Sequence, residues 1–359
     1  MTTIKKNCTI YLDRNENQYG PSPACFKVLQ KPNDDILNIY SRDFARGIKS
    51  ILSERLALDF GTEEKRILLG YGSEDILKQA VQCYINKGDK ILIPSCSWWY
   101  YKKIADEAEG INIQYPIVEG TSSFHYDIER MITVYEREKP KLVLISSPNN
   151  PTGNRLETEH LKFVLERMKE TVVVLDEAYS LFDETFEIDP VSLVNSYPNL
   201  IIIRTFSKYY ALAGIRTGFA FLGDNHDKIS LLSARYLGFN RLSEKIAIAA
   251  LDSPEYYSSI ARKMADDKEM LFYELNMLPG FHAYRSYANF ILVKIPPDIK
   301  GPLKNYLTER NMIIKFMNED GLDKHIRITI GTHSQNNLLL KLIRAFMYKE
   351  MKHELVLGV

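Results

Sequence analysis

Lys208 is the residue of this 359-residue chain best placed for covalent chemistry. It follows the apolar run Asn199-Leu200-Ile201-Ile202-Ile203, which reads as a buried parallel strand. The lysine therefore falls at a carboxyl end, where open α/β sheets build their sites. A buried lysine is costly as a cation, and its deprotonated amine attacks aldehydes to form a Schiff base. By itself, a lysine in a loop is a solvated charge. Three other stretches change that reading. Asp176 closes the run Val172-Val173-Val174-Leu175, Asn150 lies in Ser147-Pro148-Asn149-Asn150-Pro151-Thr152-Gly153, and Arg327 sits in Ile326-Arg327-Ile328-Thr329-Ile330. Packing alone does not explain that set in that order.

A possible phosphate site accompanies them. Gly70-Tyr71-Gly72-Ser73-Glu74-Asp75 leads from a strand to a helix N-terminus, where free N–H groups and the helix dipole favour an anion. Alone, the same residues also read as a helix cap, with Ser73 at the start and two acids in the first turn.

The elements that must position these residues alternate along the chain. Strands are predicted at 67–69, 91–94, 111–117, 142–146 and 172–175, with helices over 46–56 and starting near Glu74, Tyr100 and Glu157. Such alternation means a mostly parallel sheet with helices on both faces. Beyond about residue 252 the pattern changes: a long charged helix starts near Pro254, strands follow at 288–293 and 326–330, and a helix from about Asn336 closes the chain. We expect an α/β fold with a large domain over 36–252. An arm with a short helix over 1–35 joins 253–359 in a smaller α+β domain.

These motifs resemble the fold-type-I pyridoxal-phosphate enzymes, and most closely histidinol-phosphate aminotransferase. The resemblance extends from Leu12-Asp13-Arg14-Asn15-Glu16-Asn17-Gln18-Tyr19-Gly20-Pro21 to Gly331-Thr332. It implies a large domain built on a seven-stranded sheet, pyridoxal 5′-phosphate as cofactor, and Lys208 as its covalent anchor. Ser73, Glu74, Thr205, Ser207 and Arg216 are implied around the phosphate, with Tyr40 reaching it from the neighbouring subunit of a homodimer. Asp176 is implied as partner of the ring nitrogen, where opposite charges about 4 Å apart attract by roughly 4 kcal/mol at an effective dielectric near 20. Asn150 and Tyr179 are implied at the ring's phenolic oxygen. Trp98 is implied at its face; the register among these adjacent aromatics stays open, a core position being one reading of neighbouring Trp99.

Arg327 is implied at the substrate α-carboxylate, and Tyr19 and Lys315 at the substrate's distal phosphate. Some positions depart from the resemblance. Gln18 stands where proline is usual, and Lys315 and His333 stand where arginine is, so the guanidinium fork is lost while Lys315 keeps a charge. The implied reaction exchanges an amino group between a small amino-phosphate or amino acid and a keto acid such as 2-oxoglutarate. The alternative is a decarboxylase of phosphothreonine or phosphoserine type on the same scaffold.

Composition limits the other classes. Forty-six basic residues balance 46 acidic ones, so no global field recruits nucleic acid or an anionic membrane. A regulator with an aminotransferase-like domain would carry a helix-turn-helix ahead of it, and only about 35 residues precede the expected sheet. No apolar run approaches membrane-spanning length, and the N-terminus lacks a signal-peptide core, so a cytoplasmic enzyme is expected. Cys8, Cys25, Cys83 and Cys96 show neither C-x-x-C pairing nor histidines at metal spacing, which predicts reduced thiols and no structural metal.

Overall fold

Parallel strands covered on both faces need unbroken apolar runs, and this chain supplies them. The computed structural model describes residues 9–30, 40, 50–183, 185, 188–234 and 237–357. Cys8, the expected domain start at residue 36 and positions 46–49 of the expected helix lie outside them. In chain order the strands are β1 (Ile10–Leu12), β2 (Ile67–Gly70), β3 (Lys90–Pro94), β4 (Ile111–Tyr115), β5 (Ile117–Glu119), β6 (Phe124–Tyr126) and β7 (Leu142–Ser146). There follow β8 (Val172–Asp176), β9 (Leu200–Thr205), β10 (Gly218–Leu222), β11 (His282–Ala283), β12 (Phe290–Lys294), β13 (Met312–Phe316) and β14 (His325–Thr329).

Seven strands form one sheet in the order β2-β10-β9-β8-β7-β3-β4, with β10 antiparallel to both neighbours and the other pairs parallel. This is the mostly parallel α/β sheet expected. Alternate residues of its strands feed opposite cores. Val143, Ile145, Val173, Leu175 and Ile202 pack with the helices Ile51–Phe60, Ile128–Glu138 and Thr158–Arg167, while Leu142, Leu144, Val174, Ile201 and Ile203 pack with Ser73–Tyr84 and Tyr100–Glu107. The carboxyl ends of the central strands are level, because Ser146 pairs with Asp176 and Asp176 with Ile203. One residue further on, the buried pair Glu177 and Arg204, 2.8 Å apart, ties β8 to β9.

The second sheet has the order β1-β13-β14-β12-β11 and its own apolar core, lined by the helices Pro254–Asn276 and His333–Leu357. Its edge strand β1 comes from the N-terminal arm and runs parallel to β13. Two expectations shift for local reasons. The helix expected over 46–56 is described over Ile51–Phe60, because Ser50 caps the Ser53 amide and Gly61, at φ 65°, ends it in the left-handed region. The strand expected over 111–117 stops at Tyr115, and β5 then pairs antiparallel with β6 beyond Pro116, which has no N–H to give a ladder. Among the described residues no helix is long and apolar enough to cross a membrane.

Candidate active site

Ser146, Asp176 and Thr205 end β7, β8 and β9, and all three open into a cavity of about 770 Å³. The cavity also gathers Lys208, Ser207, Asn150, Tyr179, Arg216, Ser73, Glu74, Trp98, Lys315 and Arg327, so most residues singled out in the sequence meet at one place.

Lys208 lies at its centre. Nζ donates to the Arg14 carbonyl oxygen at 2.9 Å. Burial, helped by the charge of Arg327, pushes the amine down to about 8, with Glu16 opposing. A lysine so shifted has a neutral, nucleophilic fraction of roughly a tenth at pH 7, against well under a hundredth for an ordinary one.

Asp176 is buried, and burial pushes its carboxyl up from the ordinary range. Two donors oppose that effect: Tyr101 Oη at 2.7 Å from Oδ2 and the Ala178 N–H at 3.0 Å from Oδ1.

Backbone groups at one end of the cavity are arranged to suit a phosphate. The helix Ser73–Tyr84 begins at Gly72 with no side-chain cap, so its first amides are left for another acceptor. Gly72 has φ 86°, and a Cβ there would meet Arg216 Nη2 at 2.7 Å. A Cβ on Gly218 would meet Gly72 C and Ser73 N at the same distance. The glycines thus let β10 and the Arg216 guanidinium close on the loop. Thr205 Oγ1 donates to Ser207 Oγ at 3.0 Å beside them, and Glu74 approaches Arg216 at 3.8 Å. An uncapped helix start, two hydroxyls and a guanidinium fit a phosphate. Asp176 fits a protonated ring nitrogen, so the residues present fit pyridoxal phosphate.

Arg327 is 8% exposed. Its Nη1 donates to Asn150 Oδ1 and its Nη2 to the Asp13 carbonyl oxygen, while Nε has no partner among the described residues. Among the described residues no carboxylate forms an ion pair with it, and burial pushes the guanidinium down from its ordinary range, with Tyr179, Glu319 and Asp13 opposing. Such a group can receive an anion that arrives from solution.

Other positions differ from expectation. Trp99 is not in the core: it is 55% exposed and lines the cavity, while Trp98 leans on the core edge-on to Tyr101. Tyr19 does not line this cavity. It packs on the core of the second sheet, where burial and the Asp267 carboxylate push its phenol up, and Asp267 accepts from or pairs with His333 Nδ1 at 2.6 Å. Tyr40, whose expected role lies in the neighbouring subunit's site, is 70% exposed and does not line the cavity of its own chain. Sequence reasoning missed Arg14, Glu16, Tyr101 and Glu319, which all line it. Asn15 was missed too, although an asparagine at φ 57° in the arm is a turn signal. Its Nδ2 donates to Tyr179 Oη at 3.0 Å and its N–H to Thr329 Oγ1 at 2.9 Å.

Known proteins share this fold. A protein named histidinol-phosphate aminotransferase from Ruminiclostridium cellulolyticum is 31% identical over 344 residues, covering 95% of this chain and 93% of that protein. Among solved structures, the histidinol-phosphate aminotransferase of Sinorhizobium meliloti in complex with pyridoxal-5′-phosphate superposes with a TM-score of 0.85 at 22% identity, covering 95% of this chain and 92% of that one. The L-threonine-O-3-phosphate decarboxylase of Porphyromonas gingivalis superposes with a TM-score of 0.81 at 22% identity, covering 94% and 99%. The family pattern for aminotransferase class I and II matches residues 9–343. That extent, together with a relative similar over nearly its whole length, means that the chain belongs to the aminotransferase class I and II family of pyridoxal-phosphate enzymes.

Proposed function

We propose that this enzyme transfers an amino group from a small amino-phosphate of the histidinol-phosphate kind, or an amino acid, to a keto acid such as 2-oxoglutarate. The observation that carries this reading is the buried, anion-seeking Arg327 in the same cavity as a lysine poised near neutrality. The names of the relatives support the substrate class.

When bound, the cofactor supplies an electrophilic aldehyde and a protonated ring that accepts the electron pair released at the substrate Cα. Asp176 holds the positive charge on that ring. Arg327 grips an α-carboxylate through its fork and so fixes which face of Cα meets Lys208. Nζ of Lys208 would take the Cα proton as general base and return it to the cofactor's aldehyde carbon, on the far side of the substrate nitrogen. Asn150, itself held by Arg327, and Tyr179, held by Asn15, orient the ring oxygen. Lys315 offers a cation to the distal end of the substrate. We further propose a cytoplasmic homodimer with shared sites, in which 36–252 hold the cofactor and 1–35 with 253–359 form the small domain.

The test is the absorption spectrum of cofactor-loaded protein titrated with L-glutamate and, separately, with histidinol phosphate. Conversion of the lysine-linked cofactor band to that of the pyridoxamine form supports transamination and ranks the donors. If neither donor converts it and carbon dioxide is released from phosphothreonine, the decarboxylase reading replaces this one. The similar fold of the decarboxylase makes that arm worth running.

A further inference from the structure

Tyr101 is the first-turn residue of the helix Tyr100–Glu107 and is 2% exposed. A buried phenol must find an acceptor, whereas a phenylalanine fills the same space without one. Two neighbouring buried tyrosines satisfy that need with backbone: Tyr115 donates to the Leu144 carbonyl oxygen and Tyr126 to that of Ser146. Tyr101 instead donates to a carboxylate, Asp176 Oδ2, at 2.7 Å. Oδ1 of the same carboxylate takes the Ala178 N–H, so both oxygens are tied and the group cannot rotate. Its remaining lone pairs serve the cavity that Asp176 lines. The same helix start carries Trp98 and Trp99, and the Trp98 ring stands edge-on to Tyr101 at 5.7 Å between centroids. One turn of chain thus joins the aromatic wall to the carboxylate.

We propose that Tyr101 is a positioning residue for the cofactor's ring partner, its phenolic O–H holding the Asp176 carboxylate ionised and aimed into the cavity. The inference rests on the reading that Asp176 meets the ring nitrogen. It agrees with the electrostatics: burial pushes the Asp176 carboxyl up, and the Tyr101 bond is the largest opposing effect, ahead of the Ala178 amide and Lys208. Glu177 pushes the same way as burial. Tyr126 and Tyr179 face the group as well, and the Asp176 charge raises both phenols.

The experiment measures the affinity of the cofactor-free protein for pyridoxal phosphate across pH, by absorption of the bound cofactor, for wild type, Tyr101→Phe, Asp176→Asn and the double variant. Affinity should fall in acid as Asp176 protonates. In Tyr101→Phe that acid limb should move to higher pH by about one unit, the size of a hydrogen bond to a charged group. In the Asp176→Asn background the phenylalanine substitution should have no effect on the limb. An unmoved limb in folded Tyr101→Phe overturns the proposal, and so does a shift that persists without the aspartate. Circular dichroism confirms folding. If Tyr101→Phe fails to fold, Tyr101→His, which keeps a ring donor, should hold the limb where wild type has it, and a shifted limb there counts against the idea. The parent reading fails separately, if wild type does not bind the cofactor or Asp176→Asn binds it equally well at every pH.

Discussion

Lys208 carries a buried charge conflict, and the conflict has a measurable thermodynamic sign. Its amine titrates near 8 in the folded protein against an ordinary 10.5. Between those values the unfolded chain binds a proton that the folded chain does not, so stability rises with pH across that window. Below pH 8 the cost of the buried cation is fully present. The cofactor-free Lys208→Met variant should therefore be more stable than wild type at pH 7, on the order of 2 kcal/mol, and the gap should close towards pH 10.5. Urea melts at pH 7, 8.5 and 10 measure it, and a pH-independent gap would show that packing rather than charge is responsible. Lys208, Asp176 and Arg327 were legible in the sequence because each sits on or just beyond a strongly apolar strand. Tyr101 was not legible, because its acceptor is 75 residues away and a tyrosine at a helix start has no pattern that names one. Adjacent Trp98 and Trp99 show the same limit. Two like residues in a turn differ in role only through which one the following helix rotates onto the core.

At the scale of elements, the site depends on β10 and the loop before the helix Ser73–Tyr84 coming closer than any side chain permits. Gly218 pairs with Gly70 on one side and Thr205 on the other, so it brings both halves of the phosphate cradle into register. Gly218→Ala places a methyl against backbone atoms that cannot swing aside. We expect a loss of about 1–3 kcal/mol in stability, as for other overpacked sites, and a cofactor affinity at least tenfold weaker because Ser73 is pushed from the phosphate. Equilibrium binding of pyridoxal phosphate to the folded variant decides it; unchanged affinity would mean that the cradle amides do not hold the phosphate. Six strands of the larger sheet were readable, the central ones because they are buried on both faces and so stay apolar throughout; β10 was not singled out, and the count of seven came from the resemblance. β1 was not, because three residues of an arm gain their partner only through pairing with β13, some 300 positions later.

The whole molecule brings two sheets with separate cores to one cavity, and the N-terminal arm crosses between them. β1 belongs to the second sheet, yet Asn15, three residues on, reaches Tyr179 beside β8. Tyr40 stands exposed and apart from the cavity of its own chain, which suits the proposal that it completes the site of a second copy. A site shared in this way makes a prediction that a single-chain site does not. Tyr40→Ala subunits supply an intact Lys208, and Lys208→Ala subunits supply an intact Tyr40. Each mixed dimer would then contain one site with both wild-type residues. After unfolding and refolding an equal mixture, about a quarter of the sites should be wild type, and activity should exceed the sum of the two parent preparations refolded alone. Simple addition of the parents, with dimers confirmed by sedimentation, would place the function of Tyr40 within its own chain or remove it from the site altogether. Recovery would make the dimer, rather than the chain, the smallest unit able to hold the cofactor fully.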